Sequence, residues 1–211
     1  MNVKALTIET ILKNYERIIL NVYYMNKTTG DETNVTVTMT QGPGGNVGGV
    51  DTVKVMFIVT SNKENEQGNL TLWMSKDYST VVRIDADGQT VEGQLAEMYG
   101  QQVLRHASAL LMPYAHVGDI HLKIAGETAA AVKAGWEVTS VTPTTVSISG
   151  HSYRAYSVTA KNVADTDSIV SDMESTVAEI SPNVWVLIHM HANMKDGSVF
   201  NGQILELVPK T

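Results

Sequence analysis

The sequence predicts an α+β fold in which an antiparallel β-sheet predominates, arranged as a sandwich or a half-barrel. Stretches rich in Val, Thr and Ile with a two-residue alternation outnumber the helical patterns. Short turn sequences typical of hairpins join most of these stretches, as Lys195-Asp196-Gly197 does near the C-terminus. A parallel sheet would need helices between successive strands, and the sequence lacks that alternation.

The first fifty residues predict one short helix followed by a hairpin. Apolar residues recur at helical spacing between Thr7 and Arg17, and the β-branched and aromatic residues of 17–25 predict a strand. A helix that continues through 17–25 is the alternative. After a turn at 26–31, the stretch 32–40 alternates apolar residues with threonines, which gives a strand with one apolar and one hydroxyl face. The glycine-rich stretch 41–49 is predicted to be a loop.

The middle of the chain predicts an antiparallel meander and then the longest helix. Strands are predicted at 53–60, 70–74 and 80–84, and a turn at 85–88 leads to a short strand at 90–92. One long helix is predicted over 94–112, because Leu95, Met98, Tyr99 and the apolar residues that follow keep a 3.6-residue spacing. Pro113 is expected to end this helix.

The C-terminal part predicts mostly strands. They are expected at 120–125, 136–141, 145–149 and 153–161, with a small Ala-rich helix at 127–133. Residues 165–180 are expected to be a loop or a weak helix with an acidic face. A final hairpin is predicted from strands at 184–194 and 198–208. Because no linker divides the chain, it is predicted to be a single domain over 1–211, with 1–16 as a candidate N-terminal extension.

Composition excludes several classes of protein. The chain has 211 residues, 43% of them hydrophobic, and a net charge of −7, which argues against a nucleic-acid partner. It has no cysteine, so disulfides, thiolate nucleophiles, iron–sulfur clusters and Cys-ligated zinc are excluded. No segment of the sequence is long and apolar enough to be a transmembrane helix. The first twenty residues include Glu9, Lys13, Glu16 and Arg17, which a signal peptide would not contain.

Three Asn-x-Thr sequons are the only feature of the sequence that indicates a compartment. They begin at Asn26, Asn34 and Asn69, and N-linked glycans on them would require a location outside the cytoplasm. We therefore expect an extracytoplasmic or cell-surface glycoprotein whose export signal lies outside this sequence. The alternative is a cytoplasmic protein in which the sequons are unused.

Two histidines are the best metal-ligand candidates, although we predict no metal site and no cofactor. His189 and His191 are two residues apart, so on a strand both imidazoles project from one face. Zinc or copper would need at least one further ligand, which the sequence does not specify. Nucleotide-binding, calcium-loop and nucleophile-elbow patterns are absent, so no catalytic residues are predicted and the chain is not expected to be an enzyme.

Three functions remain, in order of preference. The first is a non-catalytic structural protein of the cell surface that self-assembles into a homo-oligomer through strand pairing, as a filament or surface-layer subunit would. The second is a carrier of a lipid or another apolar ligand. The order of helix, antiparallel meander, long helix and antiparallel hairpins resembles that of LolA-like half-barrels, which shield lipid, and this resemblance implies an apolar ligand. The third is a metalloprotein or hydrolase that uses His189 and His191.

Overall fold

A computed structural model describes residues 3–4, 6–63, 67–121, 123–125, 128–130 and 134–211. For 3–4, 109–110, 112–121, 123–125 and 128–130 it describes the backbone alone. Within these residues the chain forms fourteen strands and two helices. In chain order they are β1 (Val3–Lys4), α1 (Ile8–Asn14), β2 (Tyr15–Met25), β3 (Glu32–Val47), β4 (Val50–Ser61), β5 (Gly68–Ser75), β6 (Val81–Ala86), β7 (Gln89–Glu92), α2 (Gln94–His121), β8 (Lys123–Ala125), β9 (Thr128–Ala130), β10 (Trp136–Ile148), β11 (His151–Asn162), β12 (Val170–Ser181), β13 (Val184–Met194) and β14 (Val199–Pro209).

The chain divides into two compact units, and four elements contribute residues to both. Unit 1 contains residues 1–6, 21–34 and 112–204, and unit 2 contains 7–20, 35–111 and 205–211. The boundaries therefore fall inside β2, β3, α2 and β14. The single-domain prediction stays a prediction.

Antiparallel pairing predominates in both units. In unit 1 the strand order is β10-β11-β12-β13-β14, with β1 parallel to β13, and in unit 2 it is β14-β2-β3-β4-β5-β6-β7. Each pairing from β3 to β7 and from β10 to β14 is antiparallel. The prediction of a mostly antiparallel, sheet-dominated fold is confirmed.

The loop predicted over 41–49 is wrong, because β3 continues to Val47 and pairs with β4 almost to the turn. The register shifts between Pro43 and Asn46, so Gly44 and Gly45 form a bulge. A Cβ on Gly44 would collide with the backbone of Thr52, which explains a glycine there. The turn itself is Gly48-Gly49, at φ +59° and +88°, as a two-residue hairpin turn requires.

Two helix predictions differ from the structure. Helix α2 begins at Gln94 as expected but runs to His121, through Pro113. A proline inside a helix removes one backbone hydrogen bond and can kink the helix without ending it. The Ala-rich helix expected over 127–133 is wrong where the chain is described, because Thr128–Ala130 is the short strand β9, paired with β8. The rest of that stretch lies outside the described residues.

The acidic stretch 165–180 is mostly strand β12 rather than a loop or a helix. Met173, Ser175 and Val177 are buried at two-residue spacing, and β12 lies between β11 and β13. Its glutamates are compatible with a strand because they lie at the surface of the sheet, where each accepts a hydrogen bond from β11. Glu179 accepts hydrogen bonds of 3.0 and 2.7 Å from Arg154. The two strands expected over 136–149 form the single strand β10, which includes Pro143.

Candidate functional site

One face of the unit 2 sheet is apolar across four strands. The register places Val37 opposite Val59, and Met39 opposite Phe57, so these side chains share a face. Phe57 in turn pairs with Leu70 of β5. This is the apolar face that the alternation in β3 predicted, and it extends across β3, β4, β5 and β6.

The N-terminal part of helix α2 packs against this face through small residues rather than through its largest ones. Ala96 is fully buried, and a Cβ built on Gly100 would lie 2.6 Å from Cγ2 of Val81. Ala107 lies on the same side of the helix. Small side chains let a helix approach a sheet closely. Farther along α2 they also leave a space between the helix and the sheet, because no large side chain occupies it there.

Three of the apolar residues that predicted this helix are on its exposed side. Leu95, Met98 and Tyr99 expose 56%, 48% and 46% of their surface. Their spacing fits one helix face as well as the buried small residues do, so periodicity correctly predicted the helix without identifying its inner face.

Helix α1 closes the inner end of the apolar face. Thr7 caps its N-terminus by accepting a hydrogen bond from the backbone N–H of Thr10 at 3.2 Å, and Ile11 and Leu12 are buried. Its C-terminal carbonyls are held by side chains distant in sequence. The Leu12 carbonyl accepts bonds from Lys210 Nζ at 2.6 Å and from Gln41 Nε2 at 3.0 Å. A cation at a helix C-terminus is favoured by the helix dipole.

An open cleft of about 360 Å³ lies between α2 and the sheet. Its walls are mostly apolar, and its polar lining residues are Gln67, Asn69, Asp87 and His106. The lining residues are Val37, Phe57, Val59, Gln67, Gly68, Asn69, Leu70, Ala86, Asp87, Val103, His106 and Ala107. The volume is within the range of small-molecule pockets.

A second, much smaller pocket of about 30 Å³ adjoins this cleft. The two have Val37, Phe57 and Ala107 in common in their walls, so they lie side by side. The inner pocket is lined entirely by apolar side chains, including Ile8 and Ile11 of α1. We call the larger space the cleft and the smaller one the inner pocket.

A separate polar groove of about 480 Å³ lies between α1, α2 and the turn that joins β5 to β6. Tyr78, at φ +63° in this turn, donates a hydrogen bond to Gln41 Oε1 at 2.8 Å and accepts one from Lys210. The neighbouring Asp77 has a pKa lowered to about 2, because hydrogen bonds from Ser75 and Ser79 stabilise its carboxylate. These contacts fix the turn and the end of α1, so we assign the groove a structural role.

The two predicted histidine candidates lie in unit 1, on the half-exposed face of β13. His189 Nε2 is 2.9 Å from Asn201 Oδ1, and His191 lies opposite Glu174 in the register. Among the side chains that the structure describes, no three from His, Cys, Asp and Glu are grouped as metal ligands. The prediction of no metal site stays untested, as do the two histidines as weak candidates.

The three sequons occupy different settings. Asn26 is half-buried, and its Oδ1 accepts bonds from the backbone N–H groups of Thr28 and Thr29. Asn34 is exposed and accepts a bond from Asn21 at 2.9 Å. Asn69 is exposed and lies opposite Ile58, on the face of β5 that points away from the apolar side. Glycosylation of these residues remains a prediction.

Sequence reasoning missed the residues that define the cleft. In the sequence Ala107 is one of several apolar residues of the predicted helix, and Asp87 belongs to the predicted turn. Phe57 is one of two phenylalanines in the sequence, and this rarity is a signal that could have indicated an apolar site. The cleft itself depends on which helix face turns inward, which the sequence does not specify.

No family model matches the sequence, and the comparison with curated proteins finds no match either. Two solved structures have a similar layout at low sequence identity. One is the lipoprotein LppX of Mycobacterium tuberculosis, at 11% identity and a TM-score of 0.34, over 93% of this chain and 88% of that one. The other is a DUF1329 family protein of Desulfovibrio piger, at 6% identity and a TM-score of 0.31, over 96% and 89% of the two chains. Likeness at this level carries no functional argument, so the function must be inferred from the cleft.

The length and hydropathy of the described helices bear on whether either could span a membrane. Neither α1 nor the described part of α2 combines the length and the hydropathy needed to cross a bilayer.

Proposed function

We propose that the protein binds a small apolar or amphiphilic molecule in the cleft between α2 and the unit 2 sheet. The observation that carries this proposal is that the mostly apolar cleft adjoins the wholly apolar inner pocket, with Val37, Phe57 and Ala107 in the walls of both. Apolar walls with a few polar groups at one end are typical of small-molecule sites. This function is the second of the three that the sequence predicts, a carrier of a lipid or another apolar ligand.

The apolar walls of the cleft favour the binding of an apolar chain. Transfer of an apolar chain from water to these walls contributes about 25 cal/mol per Å² of apolar surface buried. The cleft is already open in the structure, so a ligand could enter it without first displacing a side chain of the core. A carrier that acts outside the cytoplasm is consistent with the sequons, and this location stays a prediction.

Filling the cleft tests the proposal directly. Ala107→Phe would place an aromatic ring in the wall common to the cleft and the inner pocket, whereas Gln102→Phe would add the same ring on the exposed side of α2. We expect wild type and Gln102→Phe to bind N-phenyl-1-naphthylamine with a rise in fluorescence, and Ala107→Phe to bind about tenfold more weakly or not at all. Equal binding by Ala107→Phe and wild type would refute the assignment of the cleft.

Self-association through β10 is a second candidate, because this strand is the last one at one end of the unit 1 order. Within the described residues, β10 is hydrogen-bonded to β11 alone, and Glu137 is the one charged residue in its thirteen. A long edge strand with few charges pairs readily with another strand. If this edge assembles, light scattering should give a mass above one chain for wild type and the monomer mass for Thr144→Lys. A wild-type monomer at every concentration would dispose of this candidate.

A further inference from the structure

The inner pocket and the cleft differ in polarity. The inner pocket, next to α1, is lined by apolar side chains throughout. The polar residues Gln67, Asn69, Asp87 and His106 line the cleft alone, and we call this polar part of the lining its outer end. A uniformly apolar ligand would leave these outer groups against hydrocarbon, which costs free energy when polar groups lose water without gaining hydrogen bonds.

The outer end is also negatively charged and has unused hydrogen-bonding groups. Asp87 is the one formally charged residue among those that line the cleft. Asp87 and His106 are exposed, and within the described part of the chain their side chains make no hydrogen bond or ion pair. Gln67 is already held, because its Nε2 donates to the Ser61 carbonyl at 2.9 Å. The two unused side chains are therefore available to the polar end of a ligand.

We infer that the ligand is a single-chain amphiphile that lies with its tail toward the inner pocket and its polar end beside Asp87 and His106. That polar end is uncharged or cationic, not anionic. This inference rests on the proposed function and adds the orientation and the class of ligand. A carboxylate or phosphate held about 4 Å from Asp87 would be disfavoured about fivefold even with the full screening of water. Hydroxyl and amine groups can instead donate to the Asp87 carboxylate.

Three probes with the same twelve-carbon chain test the inference. They are 1-monolauroylglycerol, dodecylammonium and laurate, each titrated below its micelle concentration against the full chain. We expect the affinity for laurate to be lowest in wild type. Asp87→Asn should raise laurate affinity about fivefold, lower dodecylammonium affinity by a similar factor and leave monolauroylglycerol nearly unchanged. Because the affinities for laurate and dodecylammonium are expected to change in opposite directions, the result does not depend on the different solubilities of the two probes.

The variants are chosen so that folding does not confuse the result. Asp87 has φ +48°, a conformation that Asn adopts as readily as Asp, so Asp87→Asn preserves the turn. Asp167→Asn removes the same charge from an exposed site in unit 1 and should change none of the three affinities. If the three probes bind but Asp87→Asn moves them together or not at all, the inference is overturned while the proposed function stands. If none of them binds to wild type, the proposed function fails as well.

Discussion

Gly100 of α2 lies directly against Val81, the first residue of β6, with no space for a side chain between them. A Cβ on Gly100 would lie 2.6 to 2.7 Å from three carbon atoms of the Val81 side chain, which is fully buried. This contact fixes how near α2 approaches the sheet at its N-terminal end. The width of the cleft farther along the helix depends on it.

Gly100→Ala is expected to destabilise the protein even though alanine favours helices. The better helix propensity contributes about 1 kcal/mol, whereas forcing a methyl group into a packed contact costs about 1–3 kcal/mol. We therefore expect a net loss of about 1 kcal/mol in urea unfolding. Val81→Ala in the same chain should recover part of the loss, because it removes the methyl groups that the new Cβ meets. A more stable Gly100→Ala variant would show that the helix is not tightly seated.

Adjacent positions on β4 should respond very differently to truncation. Phe57 is 6% exposed on the apolar face, while Ile58 is 49% exposed on the opposite face. Phe57→Ala should lower the free energy of unfolding by about 3–5 kcal/mol through the cavity it leaves. Ile58→Ala should change it by about 0.5 kcal/mol or less. Similar losses at both positions would contradict the assignment of the two faces.

The end of α1 should depend on Lys210. Its ammonium group donates to the Leu12 carbonyl and to the Tyr78 hydroxyl, and its backbone N–H donates to the Asn14 carbonyl at 2.9 Å. Lys210→Met keeps the aliphatic stem and removes the charged donor, which should cost about 1–2 kcal/mol. Hydrogen exchange measured by mass spectrometry should then show faster exchange in α1.

A lysine of α1 itself gives the control for that variant. Lys13 forms an exposed ion pair with Glu9 at 2.7 Å. Exposed pairs of this kind contribute little, so Lys13→Met should leave hydrogen exchange in α1 almost unchanged. Equal effects of the two substitutions would mean that Lys210 does not hold the helix end.

Asp77 should make stability depend on pH in the acid range. Hydrogen bonds from Ser75 and from Ser79 lower its pKa to about 2 in the folded chain, below the value of about 3.9 expected when unfolded. A lowered pKa means that the folded state favours the carboxylate, so its stabilising contribution is complete above about pH 4. This contribution is lost as the pH falls toward 2.

Asp77→Asn tests this pH dependence. We expect the variant to be less stable than wild type at pH 6 in chemical unfolding, and the difference to shrink between pH 4 and pH 2 as wild type loses its carboxylate. A difference that stays constant across this range would mean that the turn does not depend on the charge of Asp77.

Local sequence signals correctly predicted most strands and their turns. The alternation in 32–40 correctly predicted which side chains of β3 face the core, because adjacent residues of a strand point to opposite faces. The Asp196-Gly197 turn correctly predicted the hairpin of β13 and β14, since Gly197 has φ +83°. These features follow from a few neighbouring residues, so the local sequence is enough to predict them.

The predictions failed where residues outside a segment decide its local structure. Gly44 belongs to a bulge opposite Thr52 of β4, and 170–181 is a strand because β11 and β13 supply partners on both sides. These partners lie on the adjacent strands, outside the segment whose local propensity is considered, so that propensity favoured a loop or a helix. Strand pairing overrides such preferences.

The sequence alone determined a cysteine-free, acidic, mostly antiparallel β protein with a long helix beginning at Gln94. It also showed the three sequons and the His189–His191 pair, whose roles stay predictions. Only the tertiary structure decided which face of α2 turns inward. Leu95, Met98 and Tyr99 form as good a stripe as Ala96, Gly100 and Ala107, and the close approach to Val81 selects the small residues. Because these inward-facing side chains are small, they leave the volume of the cleft unfilled between α2 and the sheet.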